Sequence, residues 1–277
     1  MSGNFGSSSS IQPLSIGNVV SAGVRLYRSH LKTYLKLALI AHLWALVPIY
    51  GWAKYAAISG LISRLAFGEL TYQPESVEEA RSHVNPRFWS FLAVYLRVAI
   101  NLFLAYLGVT IVAGIAVGLL TFILFLILGP IVIYLSPYFT PLLIILMVLP
   151  GLIWFYARWV VVEVPLAVEE NINGSESISR SWELTKASAF RIQGIVIVTG
   201  LVTLPIMFLF NYVPNLFLIK LEPGSTIYTV VYLVSLLISL VGGMFVMPFW
   251  QSIKAVIYYD LRSRREGLGL QLRDHDI

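Results

Sequence analysis

Residues Ala157–Gly194 read ARWVVVEVPLAVEENINGSESISRSWELTKASAFRIQG, the longest charge-bearing interval between two apolar runs in the second half of the chain. Pro141–Ala167 leads into it and Ile192–Phe210 leads away, and both are apolar enough to read as membrane helices. Between them the pattern turns polar and helical. Ser175 suits an N-cap, and Glu176–Arg180 and Arg180–Glu183 have the spacing of intrahelical ion pairs. Ile178, Trp182 and Ala189 share one face, with Trp182 as its anchor. The stretch predicts a hinge: one span ends, a charged helix lies on the membrane surface, and another span begins.

The composition fits that picture. The chain has 277 residues, of which 58% are hydrophobic and 12% charged, and its mean hydropathy is +0.80. A soluble domain carries about 25% charged residues, so a water-facing surface over a large helical core would be undersupplied with charge. The net charge of +5 marks the basic flanks of membrane helices rather than a nucleic-acid partner, and no aromatic-basic pattern of an RNA or DNA reader is present. Cysteine is absent, which removes disulfides and thiolate metal sites. Residues 1–13, MSGNFGSSSSIQP, are polar and uncharged. They lack the basic start of a cleavable signal and read as a disordered tail.

Working outward, Ser15–Lys36 has apolar residues Ile16, Val20, Val24, Tyr27 and Leu31 at helical spacing, with Arg25, Arg28, Lys32 and Lys36 in a separate stripe. This is the pattern of an interfacial helix facing lipid phosphates, or equally of basic flanks running into a first span. Leu35–Val47 and Ala53–Leu70 are apolar around a break at Pro48–Gly51, which predicts a helical hairpin or one long tilted helix. PESVEEARSHV (74–84) predicts a short surface helix. Phe88–Leu128 is a continuous apolar run, either one long helix or two spans broken near Gly108–Gly118. Gly129-Pro130 and Ser136-Pro137 bracket an uncharged turn, and Tyr228–Tyr258 is the last span.

Lys and Arg concentrate near 25–36, 81–97, 158–191 and 254–273, with only Lys54 and Lys220 elsewhere. The positive-inside rule places those regions and both termini in the cytoplasm. The expected fold is an all-α, polytopic helical membrane bundle with about six transmembrane helices and short cytoplasmic amphipathic helices. It forms a single domain over 14–262, followed by a cytoplasmic tail over 263–277. Glu75-Ser76-Val77 and Glu176-Ser177-Ile178 each open a polar helix before a span, with Phe88-Trp89 and Ala189-Phe190 at matching offsets. That suggests two halves, 14–130 and 138–262; chance similarity of two amphipathic helices accounts for it equally well.

RWVVVEVPLAVEE (158–170), SESISRSWELTKASAFRI (175–192) and YYDLRSRREG (258–267) resemble the helical membrane domain found alone or fused to glycerophosphoryl diester phosphodiesterases, and related bacterial inner-membrane proteins of unknown function. The most specific positions are Arg180-Ser181-Trp182, with Leu184-Thr185 following, and Tyr259-Asp260-Leu261-Arg262. The likeness spans roughly residues 12–268. It implies a multi-pass protein of a bacterial plasma membrane or other internal membrane. It does not imply phosphodiesterase activity, which in such fusions belongs to a separate soluble barrel with no counterpart here.

His30, His42, His83 and His275 fall in no metal-ligand spacing, and no GxSxG, P-loop or dinucleotide fingerprint is present. No catalytic residue, cofactor or metal site is expected. Arg97, Arg158, Glu163, Arg191 and Asp260 are the charges placed near helix ends. They predict either a network tying those ends together or an anionic-lipid headgroup pocket lined by Arg97, Arg158 and Arg191. The leading function is a non-enzymatic protein that organises, senses or assists membrane lipids or membrane-protein partners, with homo-oligomers compatible. The alternative is a transporter or channel for a lipid-like or small solute.

Overall fold

The computed structural model describes residues 14–267. The expected disordered tail 1–13 and the last residues of the expected cytoplasmic tail, 268–277, lie outside the described residues. Among those described, the regular structure is helical and contains no strand.

Helix α1 (Ile16–Ser29) opens at Ser15, whose hydroxyl accepts from the Asn18 N–H. It breaks at His30 and resumes as α2 (Leu31–Ala45), so the single amphipathic helix expected over Ser15–Lys36 is two. A tight turn with Ile49 at φ 61° leads into α3 (Tyr50–Leu70). Gly51 is required there, because a Cβ would lie 1.9 Å from the Trp44 carbonyl oxygen. The hairpin reading of Pro48–Gly51 therefore holds. Helix α4 (Val77–Val84) is closed by a capping box. Ser76 Oγ accepts from the Glu79 N–H at 3.2 Å, and the Glu79 carboxylate accepts from the Ser76 N–H at 2.8 Å. That backbone bond holds the Glu79 carboxyl below the usual carboxylate range.

The remaining helices are α5 (Phe88–Leu128), α6 (Ile131–Trp159), α7 (Glu163–Val168), α8 (Gly174–Thr185), α9 (Ala189–Met207), α10 (Val213–Leu216) and α11 (Thr226–Arg265), with a π-helical turn at Phe208–Tyr212 joining α9 to α10. Helix α3 is the centre of the core. It packs against α2, α4, α5, α7 and α11, while α1 lies along α9 and α11. Tyr34, Ile62, Phe91, Ile192, Ile253 and Tyr258 are among the fully buried side chains that fill this core. The approach of α3 to α5 depends on Gly60, where a Cβ would meet the Phe91 ring at 2.3 Å.

Two hairpins leave the core. One is α5 with α6; the other is α9 and α10 with α11. Val98–Ala157 contains no charged residue, and Ile192–Ile253 contains only Lys220 and Glu222. Four stretches are long and apolar enough to cross a membrane, and their most apolar windows are only 6–22% buried within the protein. Such a surface is stable only when something other than water covers it.

Six crossings were expected, and α2 and α3 are not among these four. At 15 residues α2 spans ~22 Å, short of a ~30 Å bilayer core. Helix α3 carries Lys54, Arg64 and Glu69 and buries most of its length inside the protein. Phe88–Leu128 is a single unbroken helix. The expected turn from Gly129-Pro130 to Ser136-Pro137 shrinks to its first element: Gly129 turns with φ 67°, and α6 starts at Ile131, carrying Pro137, Pro141 and Pro150 within it. At the C-terminal end, α11 continues to Arg265, past the expected start of the tail at 263.

The two halves share an order: α4, a 3-10 turn and α5, then α8, a 3-10 turn and α9. The residues matched in the sequence hold different positions, however. Ser76 is the N-cap of α4, whereas α8 is capped by Asn173 and holds Ser177 one turn inside. Helix α8 is 12 residues long and α4 is 8, so a fixed offset aligns only their C-terminal ends.

Candidate functional site

Between the core and the roots of the hairpins lies a buried ion pair. Lys254 sits on α11 inside an otherwise apolar segment, and Glu163 opens the short helix α7. Lys254 Nζ donates to Glu163 Oε1 at 2.5 Å, and Glu163 is 2% exposed. Tyr55 and Tyr95 line the same hollow as Lys254, and Tyr156 packs edge-on against Trp250, one turn before Lys254. One turn before Lys254, the Gln251 side-chain Oε1 accepts from Ser63 Oγ at 2.8 Å. Lys254 and Gln251 line a cavity of about 300 Å³ with Tyr55, Ser59, Tyr95 and Trp250. Met207 and, two turns back along α11 from Lys254, Val246 and Met247 form its apolar end. The lining is amphipathic, and Lys254 brings one charge of the pair to it.

A second feature surrounds Arg158. Its side chain is 3% exposed, and its Nε and Nη1 have no hydrogen-bond acceptor. The guanidinium lies 4.1 Å from the centre of the Trp182 ring and 5.8 Å from that of Trp154, so aromatic faces take the place of oxygen acceptors. Helix α8 also satisfies the carbonyls left over at the end of α6. Ser181 Oγ and Thr185 Oγ1 donate to the Arg158 carbonyl at 3.0 and 3.2 Å, and Ser177 Oγ donates to that of Val162. Arg64 and Arg87 do the same for α7, donating to the carbonyls of Ala167 at 2.8 Å and Glu169 at 2.7 Å.

The remaining charges knit the chain ends. Asp260, 4% exposed, accepts from Arg191, from Arg264 at 2.6 Å and from the Leu14 N–H at 3.2 Å. Arg180 bridges Glu169 at 3.1 Å and Glu266 at 2.5 Å, and Arg262 pairs with Glu266 at 2.9 Å. The Tyr258 hydroxyl donates to Glu169. Arg180, Ser181, Trp182 and Asp260 thus tie segments together, Arg262 pairs within the end of α11, and Tyr259 packs against the core. The pairs expected inside α8 are not made. Glu176 turns back to cap the Asn173 N–H at 2.8 Å, Asn173 and not Ser175 is the N-cap, and Arg180 looks outward to α11.

Arg97, Arg158 and Arg191 are each committed elsewhere. Arg97 is exposed and donates to Ser175 Oγ at 2.9 Å, Arg158 lies on Trp182, and Arg191 holds Asp260 and the Leu14 carbonyl. The cavity lined by Arg97 includes neither of the other two. Lys254, Gln251 and the tyrosines escaped sequence reasoning. The available signal was Lys254 itself, a lone cation within Tyr228–Tyr258, which reads as an ordinary basic flank.

Along the hairpins the hollows are apolar. One of about 470 Å³ lies among Leu209, Phe210, Phe217, Val230 and Val234, and one of about 450 Å³ among Leu104, Val109, Val112, Met147 and Phe155. Among the described residues no three His, Asp or Glu side chains gather as metal ligands would. No family model, curated protein or solved structure matches the chain.

Proposed function

We propose that this is a non-enzymatic, multi-pass protein of a bacterial plasma membrane that engages membrane lipids, organising or sensing them or assisting membrane-protein partners. In this reading four helices cross, rather than six. The core with α1–α4, α7 and α8 stands on the cytoplasmic side with both termini. The charge distribution supports that orientation, since of the described cations only Lys220 lies at the far end of a hairpin. The likeness to the membrane domain of glycerophosphoryl diester phosphodiesterases, carried by residues 158–192 and 258–267, points the same way.

The observation that carries the reading is the amphipathic hollow at the hairpin roots. Gln251 and Lys254 at one end and Met207 and Met247 at the other match an amphiphile with a polar head and an apolar tail. The test is purification of the full chain in mild detergent, with retained lipid counted by native mass spectrometry. Wild-type protein is expected to retain phospholipid, and Met207→Trp, which fills the apolar end, to retain less. Protein free of lipid in both forms would sink the reading.

A transporter or channel is the second reading, favoured by the π-helical turn Phe208–Tyr212 between Pro205 and Pro214. Such turns gather at functional sites. Solute flux into vesicles holding the protein, abolished by Met207→Trp, would favour it over lipid engagement.

A further inference from the structure

Helices α2 and α4 enclose a cleft of about 460 Å³ that takes in two residues of the basic stripe, Lys32 and Lys36, and adds a cation from a different helix. Three cations line it: Lys32 and Lys36 from successive turns of α2, and Arg81 from α4. The ion pairs of the described protein use His30, Arg64, Arg180, Arg191, Lys254, Arg262 and Arg264, and none of these three. Glu78 is the one acid on the cleft, so its walls carry a net excess of two positive charges. The cations nearest the core elsewhere are held by carboxylates, backbone carbonyls or aromatic faces. Here three converge on an open hollow with only Glu78 among them and, among the described residues, no ion pair made.

The floor is apolar, formed by Leu37, Ile40 and Val77. Beyond it the outer face of α2 changes character in a single turn. Lys32, Lys36, Leu39, Leu43 and Leu46 fall at successive turns of one helical face, and the three leucines are exposed. A phosphate among the cations would have a strip of bare hydrocarbon leading away from it.

We propose that the α2/α4 cleft binds the phosphate-bearing headgroup of an anionic phospholipid, with Lys32, Lys36 and Arg81 as its cationic walls and an acyl chain along Leu39 and Leu43. The inference rests on the lipid-engaging reading above and gives it a lipid class. Charge complementarity selects the head, and the leucine strip selects a lipid over a free anion.

The experiment titrates the full chain in mixed micelles with phosphatidylglycerol, phosphatidylcholine or inorganic phosphate, and counts bound lipid by native mass spectrometry. Wild-type protein is expected to prefer phosphatidylglycerol. Lys32→Gln and Arg81→Gln are each expected to weaken that binding roughly fivefold, the triple change with Lys36→Gln to erase the preference, and Glu78→Gln to strengthen it. All four positions are exposed, and the single variants carry the test if the triple variant does not fold. Phosphatidylglycerol bound equally by wild type and single variants would overturn the site while leaving lipid engagement standing. Inorganic phosphate competing as well as the phospholipid would overturn the lipid assignment. A wild-type protein that binds no phospholipid would overturn both.

Discussion

Lys254 and Glu163, 91 residues apart in the chain, meet in a hydrogen-bonded ion pair at 2.5 Å inside the core. Each charge is tolerable there only because of the other. Replacing one partner, as in Glu163→Leu or Lys254→Met, is expected to cost about 3–5 kcal/mol. The double replacement should recover more than half of that loss. Thermal unfolding in one detergent, run as a double-mutant cycle, measures it. Equal losses in the single and double variants would contradict the coupling.

Trp182 covers the Arg158 guanidinium at 4.1 Å, and two of the nitrogens of Arg158 have no other partner. Trp182→Ala is expected to destabilise the protein by about 2 kcal/mol or more, since it strips a buried cation of its aromatic face. Trp182→Phe should cost less. A melting midpoint indifferent to both would show that the contact carries no stability.

Asp260 joins α11 to α9 through Arg191 and to the start of α1 through the Leu14 N–H. Asp260→Asn removes the charge from two arginines, and a loss of about 2–3 kcal/mol is expected. Hydrogen exchange should localise the effect, with amides at the start of α1 losing protection before those of α3. Uniform loss across both helices would argue against a local tie.

Gly60 lets Phe91 lie directly on α3. Gly60→Ala is therefore an overpacking change, expected to cost about 1–3 kcal/mol despite the better helix propensity of alanine. Phe91→Leu in the same chain should recover part of the loss by freeing space. The pair of melting curves decides it, and a stabilising Gly60→Ala would mean the helices separate freely.

The chain has no cysteine, so single cysteines report topology without background. Lys220→Cys, at the tip of the second hairpin, and Lys186→Cys, beside α8, are both exposed. A membrane-impermeant maleimide is expected to label them from opposite faces of the membrane. Labelling of both from the same face would rule out crossing by α9 and α11.

Much of this was legible in residue order. A capped polar helix between the apolar helices α6 and α9 was legible in Ala157–Gly194, because such a helix is encoded locally. The break at Pro48–Gly51 follows from turn chemistry, whereas period alone left Phe88–Leu128 open between one helix and two. Of the candidate charges, Arg191 and Asp260 come together, a pairing that residue order did not single out. Their partners were not legible, nor was the capping role of Glu176, since a side chain that can pair at i+4 can equally turn back to its own N-cap.

Residue order alone specifies an all-helical, strongly apolar chain with its charges gathered near helix ends. Those properties are sums over neighbouring residues. The sheathing of α3 by protein emerges from long-range packing and not from residue order, since a helix apolar on most of its circumference reads alike whether protein or lipid surrounds it. That packing is what sets the finer arrangement. It also decided that Lys254 faces Glu163 and that Lys32, Lys36 and Arg81 share a cleft. Local pattern is blind to both, because the free energy of a buried charge is set by whichever distant segment packs against it.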